Sequence, residues 1–250
     1  MTTLKSRMRN GDRLIGTFVK TPAYELIEVL AKSGLDFICL DAEHAPFDRA
    51  RTDACLAVAH ALGLPTLVRV PSAEPSGILA ALDSGATGVV VPHVFSAVKA
   101  ADIARAGHYG HGGRGYAGST RSAGFATQKM PDILTKGSEE TIVIAQIEEP
   151  EGVDAAADIA AIDGIDGLFV GPADLAVCYG ASDMNAPVVR DAMARTGDAA
   201  KSHGKTLMTF AGGADAAEAL SDIGVTMFFV GSEHAFMLAG ARQTVADFST

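Results

Sequence analysis

The sequence predicts one closed (β/α)8 barrel, and three observations carry that prediction. Eight short runs rich in Val, Ile, Leu and Phe recur along the 250 residues. They are continuously apolar rather than alternating, as strands of a parallel sheet buried on both faces are. Longer Ala- and Leu-rich stretches of helical period separate them, and eight such units in about 250 residues fit a barrel. An open doubly wound sheet also alternates strand and helix. However, no Gly-x-Gly-x-x-Gly turn follows the first strand, and the count of eight favours closure.

The elements are expected in strict alternation. RLIGTFVK (13–20) is the first strand, followed by the helical stretch PAYELIEVLAKSG (22–34). DFICLD (36–41) precedes FDRARTDACLAVAHALG (47–63), and PTLVRV (65–70) precedes SGILAALDSG (76–85). GVVVP (88–92) leads to SAVKAADIARAG (96–107). TIVIAQIE (141–148) leads to GVDAAADIAAID (152–163), and DGLFVG (166–171) to APVVRDAMARTGDAAKSHG (186–204). KTLMTF (205–210) leads to ADAAEALSDIG (214–224), and TMFFVG (226–231) to HAFMLAGARQTVADF (234–248). Several of these helices close on Gly, the residue that most readily takes the left-handed turn at a helix C-terminus.

One segment breaks the rhythm. Residues 107–127, GHYGHGGRGYAGSTRSAGFAT, contain seven glycines and no period, and a loop this long is usually functional. Arg114, Tyr116, Arg121 and Phe125 give it anchors, so it is expected to fold over a barrel mouth as an active-site loop before the short helical stretch QKMPDILTKGS (128–138). No linker divides the chain, which is read as a single domain, 1–250.

Bulk composition excludes several classes. A 48% hydrophobic content supplies a large core, consistent with a mean hydropathy of +0.22. The net charge of −10 and pI near 5.1 argue against a nucleic-acid partner. Three scattered cysteines form neither a disulfide framework nor a zinc knuckle and suit a reducing compartment. No apolar run nears the roughly 18 residues of a membrane span, and the basic start lacks the apolar centre of a secretory signal. A soluble cytoplasmic protein is expected.

In such a barrel, chemistry gathers at the C-terminal ends of the strands. Strand two ends in Asp41, with Glu43 and His44 just beyond; strand three ends near Arg69. On strand five, alternation puts Ile142, Ile144, Gln146 and Glu148 on one face and Glu149 on the other, where Glu149 would stabilise the next helix through its dipole. Strand six runs into GPAD, ending at Asp174. Glu148 and Asp174, expected with no Cys or His beside them, suit a hard divalent cation such as Mg²⁺, Mn²⁺ or Co²⁺; the alternative is a pair of solvated carboxylates. His44 beside Asp41 or Glu43 reads as a base oriented by a carboxylate. Arg69, in an apolar strand, needs a partner, either an anionic substrate or Asp41. Lys20, at the same mouth, is the lesser alternative as an imine-forming nucleophile. His93 follows strand four at the mouth and receives no role. Phe210 is a candidate pocket wall. The turns after strands seven and eight, 210–215 and 230–234, keep a phosphosugar enzyme as a rival.

These residues fall within motifs that occur in order: LDAEHAPFD (40–48), LVRVP (67–71), LDSGATGVVVPHV (82–94), RGYAGSTRSAGFA (114–126), AQIEEPEGVD (145–154) and GLFVGPADLA (167–176). Together they resemble the class II pyruvate aldolases of the HpcH/HpaI family, from IGTFVK (15–20) to the last helix. The resemblance implies that Glu148 and Asp174 bind the divalent metal and that His44, supported by Asp41, is the active-site histidine. It implies that Arg69 and Gln146 meet substrate and metal, and that the backbone of Gly171, Pro172 and Ala173 meets the substrate carboxylate. Asp83 matches an aspartate in the family's L-D-x-G-A run, a catalytic candidate acting across a subunit boundary. Dimers assembled into a hexamer are implied too. Phe210 and the QIEEPEG segment depart from the family pattern and bear on which aldehyde fits.

The function expected on that basis is reversible aldol cleavage of 4-hydroxy-2-oxo acids to pyruvate or hydroxypyruvate plus an aldehyde. Two alternatives remain: a CoA-thioester or organic-acid lyase of the citrate-lyase-like group, for which no basic cluster is evident, and a non-catalytic barrel that binds 2-oxo acids.

Overall fold

The computed structural model describes residues 2–249. In chain order its elements are α1 (Leu4–Arg9), β1 (Leu14–Val19), α2 (Tyr24–Leu30), β2 (Phe37–Asp41), α3 (Arg49–Ala61), β3 (Thr66–Arg69), α4 (Pro75–Asp83), β4 (Gly88–Val91), α5 (Ala97–Gly107), α6 (Met130–Glu140), β5 (Ile142–Ile147), α7 (Pro150–Asp154), α8 (Ala156–Ala160), β6 (Gly167–Val170), α9 (Pro172–Cys178), α10 (Pro187–Ser202), β7 (Thr206–Ala211), α11 (Ala214–Ser221), β8 (Val225–Ser232) and α12 (Glu233–Phe248). The eight strands are parallel and close in sequence order, with β8 pairing back onto β1. Each predicted strand is present to within one residue at either end.

Side chains divide by strand parity into two cores. Inside the barrel, Phe18, Phe37, Cys39, Leu67, Ile142, Ile144, Phe169 and Phe229 pack together. Their alternates, among them Ile38, Leu40, Val143, Ala145 and Ile147, pack outward against the helices. Phe229 stacks on Phe18 at 4.3 Å and meets Phe37 and Phe169 edge-on at 5.3 and 5.0 Å. The Arg69 guanidinium lies over Phe18 at 4.6 Å, so this aromatic layer floors the polar mouth.

The opposite end is plugged by α1, to which sequence reading assigned no element. Its Leu4 and Met8 join the inner core. Its buried Lys5 reaches Asp166 at 2.9 Å and the Thr141 carbonyl at 2.6 Å, just ahead of β6 and β5. The single helix expected over 152–163 is instead α7 and α8, broken at Ala155, whose φ and ψ are −90 and 4.

The glycine-rich segment forms the irregular connection between α5 and α6, and its arginines are anchors as expected. They hold it elsewhere, however. Arg114 pairs with Asp83 at the end of α4 at 2.6 Å. Arg121 meets Asp53 of α3 at 3.1 Å and the Ser84 carbonyl at 3.0 Å, and His108 meets the Gly164 carbonyl at 3.0 Å. Ser84 and Gly164 precede β4 and β6, on the side where strands begin. The loop therefore does not cover the mouth of its own barrel where the strands end, because its guanidinium groups are bound to carboxylates and carbonyls at the other end. Among the described residues, no helix is long and apolar enough to cross a membrane.

Candidate active site

At the C-terminal end of β5 the inward register continues to Gln146 and Glu148, both buried. The Gln146 amide NH₂ donates to Glu148 Oε2, while buried Gln146 Oε1 has no partner. Glu148 Oε1 accepts the backbone N–H of His93 at 2.7 Å. Burial first, then the charges of Asp174 and Glu43, raise the Glu148 carboxyl above its ordinary range against the opposing pull of His93. Carboxylates crowded in this way favour a cation among them.

Gly171 shows where such a cation would fit. A Cβ built on it would stand 3.2 Å from Asp174 Oδ2 and 3.4 Å from Glu148 Oε2. The two carboxylates thus converge on a cradle that any side chain at 171 would fill. The two carboxylates offer hard oxygen and fit Mg²⁺, Mn²⁺ or Co²⁺, although, against the sequence expectation, a histidine does lie beside them: His93 Nδ1 is 3.2 Å from Glu148 Oε1.

A second group adjoins it. Asp41, fully buried at the end of β2, accepts two hydrogen bonds from Arg69, Nε at 3.0 Å and an Nη at 2.8 Å, and one from Lys20 Nζ at 2.6 Å. Burial pushes the Asp41 carboxyl up, but Arg69, Lys20 and the His44 N–H together outweigh it and hold it at about 2. Asp41 touches His44 through that backbone N–H at 3.1 Å. The carboxylate nearest the half-exposed imidazole is Glu43, at 3.6 Å from Nε2. Of the two carboxylates considered from sequence, Asp41 fixes the His44 turn and Arg69, and Glu43 faces the ring. Lys20 is an ion-pair partner here.

Several members of these groups, though not Glu148 or Asp41, border one cavity of about 460 Å³, lined by Lys20, His44, Arg69, Gln146, Asp174 and Phe210, with Gly171, Pro172 and Ala173 along its edge. Asp83 is not among its walls, being paired with Arg114 at the far end of the barrel. Sequence reasoning passed over His93 and misplaced the Glu149 side chain. Glu149 does stand at the N-cap of α7, but it makes no capping bond; its carboxylate lies 3.1 Å from His93 Nδ1. The available signal was position alone, a histidine directly after the fourth strand.

The family model described as HpcH/HpaI aldolase/citrate lyase matches residues 14–239. A hydroxypyruvate/pyruvate aldolase from Roseovarius nubinhibens is 33% identical, over 99% of this chain and 97% of that protein. A solved HpcH/HpaI aldolase/citrate lyase family protein from Burkholderia cenocepacia superposes with a TM-score of 0.93 at 34% identity, covering 100% of both chains. The citrate synthase SbnG superposes with a TM-score of 0.89 at 27% identity, over 100% of this chain and 98% of its own.

Proposed function

The chain belongs to the HpcH/HpaI aldolase/citrate lyase family of carbon–carbon lyases, and on that premise we propose that it is a divalent-metal-dependent aldolase. Its substrates would be 4-hydroxy-2-oxo acids, cleaved to pyruvate or hydroxypyruvate plus an aldehyde, and re-formed in reverse. The observation that carries this reading is the convergence of Glu148 and Asp174 on the open cradle beside Gly171, bordering the same cavity as Arg69 and His44.

Glu148 and Asp174 would hold Mg²⁺, Mn²⁺ or Co²⁺. When bound, the cation supplies Lewis-acid stabilisation of negative charge on a keto oxygen. Arg69, gripped at two points by Asp41, holds its charge in place above Phe18 and stabilises the same developing oxyanion. His44, at the cavity edge, carries the proton between the aldehyde oxygen or C3 and solvent. Gln146 orients Glu148, the backbone around Gly171 to Ala173 meets the substrate carboxylate, and Phe210 walls the aldehyde side. Lys20 Nζ is engaged by Asp41 at 2.6 Å, and the reading needs no imine. Asp83 would complete a mouth only from a neighbouring copy of the chain. That fits an oligomer in which a second copy also covers the exposed apolar side chains of α12, such as Leu238 and Val245.

The test is removal of metal with EDTA followed by restoration with Mg²⁺ or Mn²⁺, scoring cleavage of 4-hydroxy-2-oxo acids. Activity should vanish and return; full activity after complete stripping refutes the proposal. The likeness to a citrate synthase favours one rival, an organic-acid or CoA-thioester lyase. Turnover of malyl-CoA or citryl-CoA in preference to the free 2-oxo acids would establish that rival.

A further inference from the structure

The C-terminal end of β1 is held by a side chain rather than by the sheet. β8 carries one extra residue against β1: Gly16 pairs with Phe229, but Phe18 pairs with Ser232. Gly231, within that irregularity, turns left-handed at φ 61. A bulge of this kind ends regular pairing and re-aims the side chains beyond it. The next residue is Glu233, 3% exposed. Its Oε1 and Oε2 accept the Lys20 N–H at 2.9 and 3.0 Å, and Oε1 accepts the Thr21 N–H at 2.6 Å. Among the described residues no lysine or arginine side chain pairs with this carboxylate. Its ionisable neighbour is the His234 imidazole, Nε2 at 3.4 Å, which is itself tied to Thr21 Oγ1 at 2.8 Å. A buried carboxylate satisfied by backbone N–H groups makes strong bonds and fixes the chain that carries them.

The chain held in this way carries Lys20 to the mouth. Lys20 Nζ donates to Asp41 Oδ2 at 2.6 Å, and Arg69 donates to the same oxygen at 2.8 Å and to Oδ1 at 3.0 Å. Arg69 has a competing anion, since its Nε also lies 3.2 Å from Glu43 Oε2. A small displacement of Asp41 would therefore let the guanidinium swing toward Glu43. The Lys20 ammonium, pressed on Asp41 from the other side, opposes that displacement. Lys20, Arg69, Gly231, Ser232 and Ala235 all line the mouth cavity, and Glu233, between the last two, does not. Its carboxylate reaches the cavity only through the groups it holds.

We propose, resting on the aldolase reading, that Glu233 is a positioning residue of the active site. By holding the Lys20 and Thr21 N–H groups it sets the Lys20 ammonium on Asp41, and so keeps Arg69 aimed at the keto oxygen. It touches no substrate and no metal ligand. Its loss lowers turnover through Lys20 and leaves the cradle of Glu148 and Asp174, on other strands, as it was.

The experiment has two arms. The first needs no activity. Wild type and Glu233→Ala are treated with limiting acetic anhydride, and acetylation of each lysine is read by mass spectrometry. Lys20 should react faster in the variant by roughly 10-fold, the worth of a lost hydrogen bond to a charged group, with the exposed Lys32 unchanged as internal reference. The second arm compares kcat/KM for cleavage of 4-hydroxy-2-oxo acids in wild type, Glu233→Ala, Lys20→Met and the double variant. Each single change should lower it by roughly 10-fold, and the double variant should fall no further than the worse single one, because the two side chains act as one unit. Glu233→Gln keeps the shape and one acceptor oxygen; it is read in both arms, with smaller effects of the same sign, if circular dichroism shows that Glu233→Ala does not fold. Unchanged Lys20 labelling overturns the proposal, as do losses that multiply in the double variant. A wild type that cleaves no 2-oxo acid refutes the aldolase reading, and the labelling arm still decides whether Glu233 holds Lys20.

Discussion

His44 and Asp41 are three residues apart and do different work. The imidazole is exposed at the rim, whereas Asp41 is wholly enclosed by Arg69, Lys20 and the His44 N–H. Replacing His44 by Ala removes the proposed proton carrier and leaves Glu148 and Asp174 in place. Exchange of the pyruvate methyl protons into deuterated water should slow by about 10²- to 10⁴-fold, the range of general acid–base catalysis, with the Mn²⁺ titration unchanged; unaltered exchange removes His44 from its role. Asp41 governs stability instead. Its folded carboxyl sits at about 2, below the ordinary 3.8. The stabilisation is therefore complete above the unfolded value and disappears as pH falls from about 4 to 2, amounting to roughly 2 kcal/mol. Urea midpoints followed over that window should fall in the wild type by more than in Asp41→Asn. Both residues were singled out in the sequence by place, at and just beyond the end of an apolar strand, where a barrel of this kind gathers its chemistry. Gln146 and Glu148 were picked out by a period of two carried along strand five from Ile142 and Ile144. His93 was not, since it lies past Pro92 on a left-handed turn where no period runs.

At the scale of elements, burial on both faces made the strands readable: each of the eight leaves an unbroken apolar signature. The short helices lacked any comparable signal. α1 has six residues, three of them Lys or Arg, and its polar sequence hides the fact that Leu4 and Met8 are core. The break at Ala155 is equally silent, as alanine favours helix on both sides of it. The plug depends on one buried charge. Lys5 is 3% exposed and satisfied by Asp166 and the Thr141 carbonyl. Lys5→Ala would leave Asp166 without its cation, and losing one partner of a buried pair costs about 3–5 kcal/mol. Thermal melting should show that loss while the Mn²⁺ titration at the opposite mouth stays the same. A melting temperature equal to that of the wild type would mean that α1 contributes nothing to closing the barrel.

At the scale of the whole molecule, the last helix is the part that one chain leaves unfinished. α12 buries only Glu233, whose carboxylate accepts the Lys20 and Thr21 N–H groups. Along the rest of it Leu238, Val245 and Phe248 are 51%, 66% and 89% exposed. Positions 238, 241, 245 and 248 fall on one stripe of a helix, and soluble monomers seldom leave a stripe of this kind bare. Asp83 and the glycine-rich loop raise a parallel question, since their anchors put them at the end of the barrel away from their own cavity. A second copy of the chain, as proposed above, would answer both by covering α12 and bringing Asp83 toward another chain's mouth. Leu238→Lys combined with Val245→Lys places two charges on the stripe without touching the barrel. Light scattering coupled to size exclusion should show the assembly falling to smaller species, and Asp83-dependent activity should fall with it while far-ultraviolet circular dichroism keeps its barrel signature. An unchanged mass for the double variant would mean that α12 faces water in solution, and the second copy would then have to bind elsewhere.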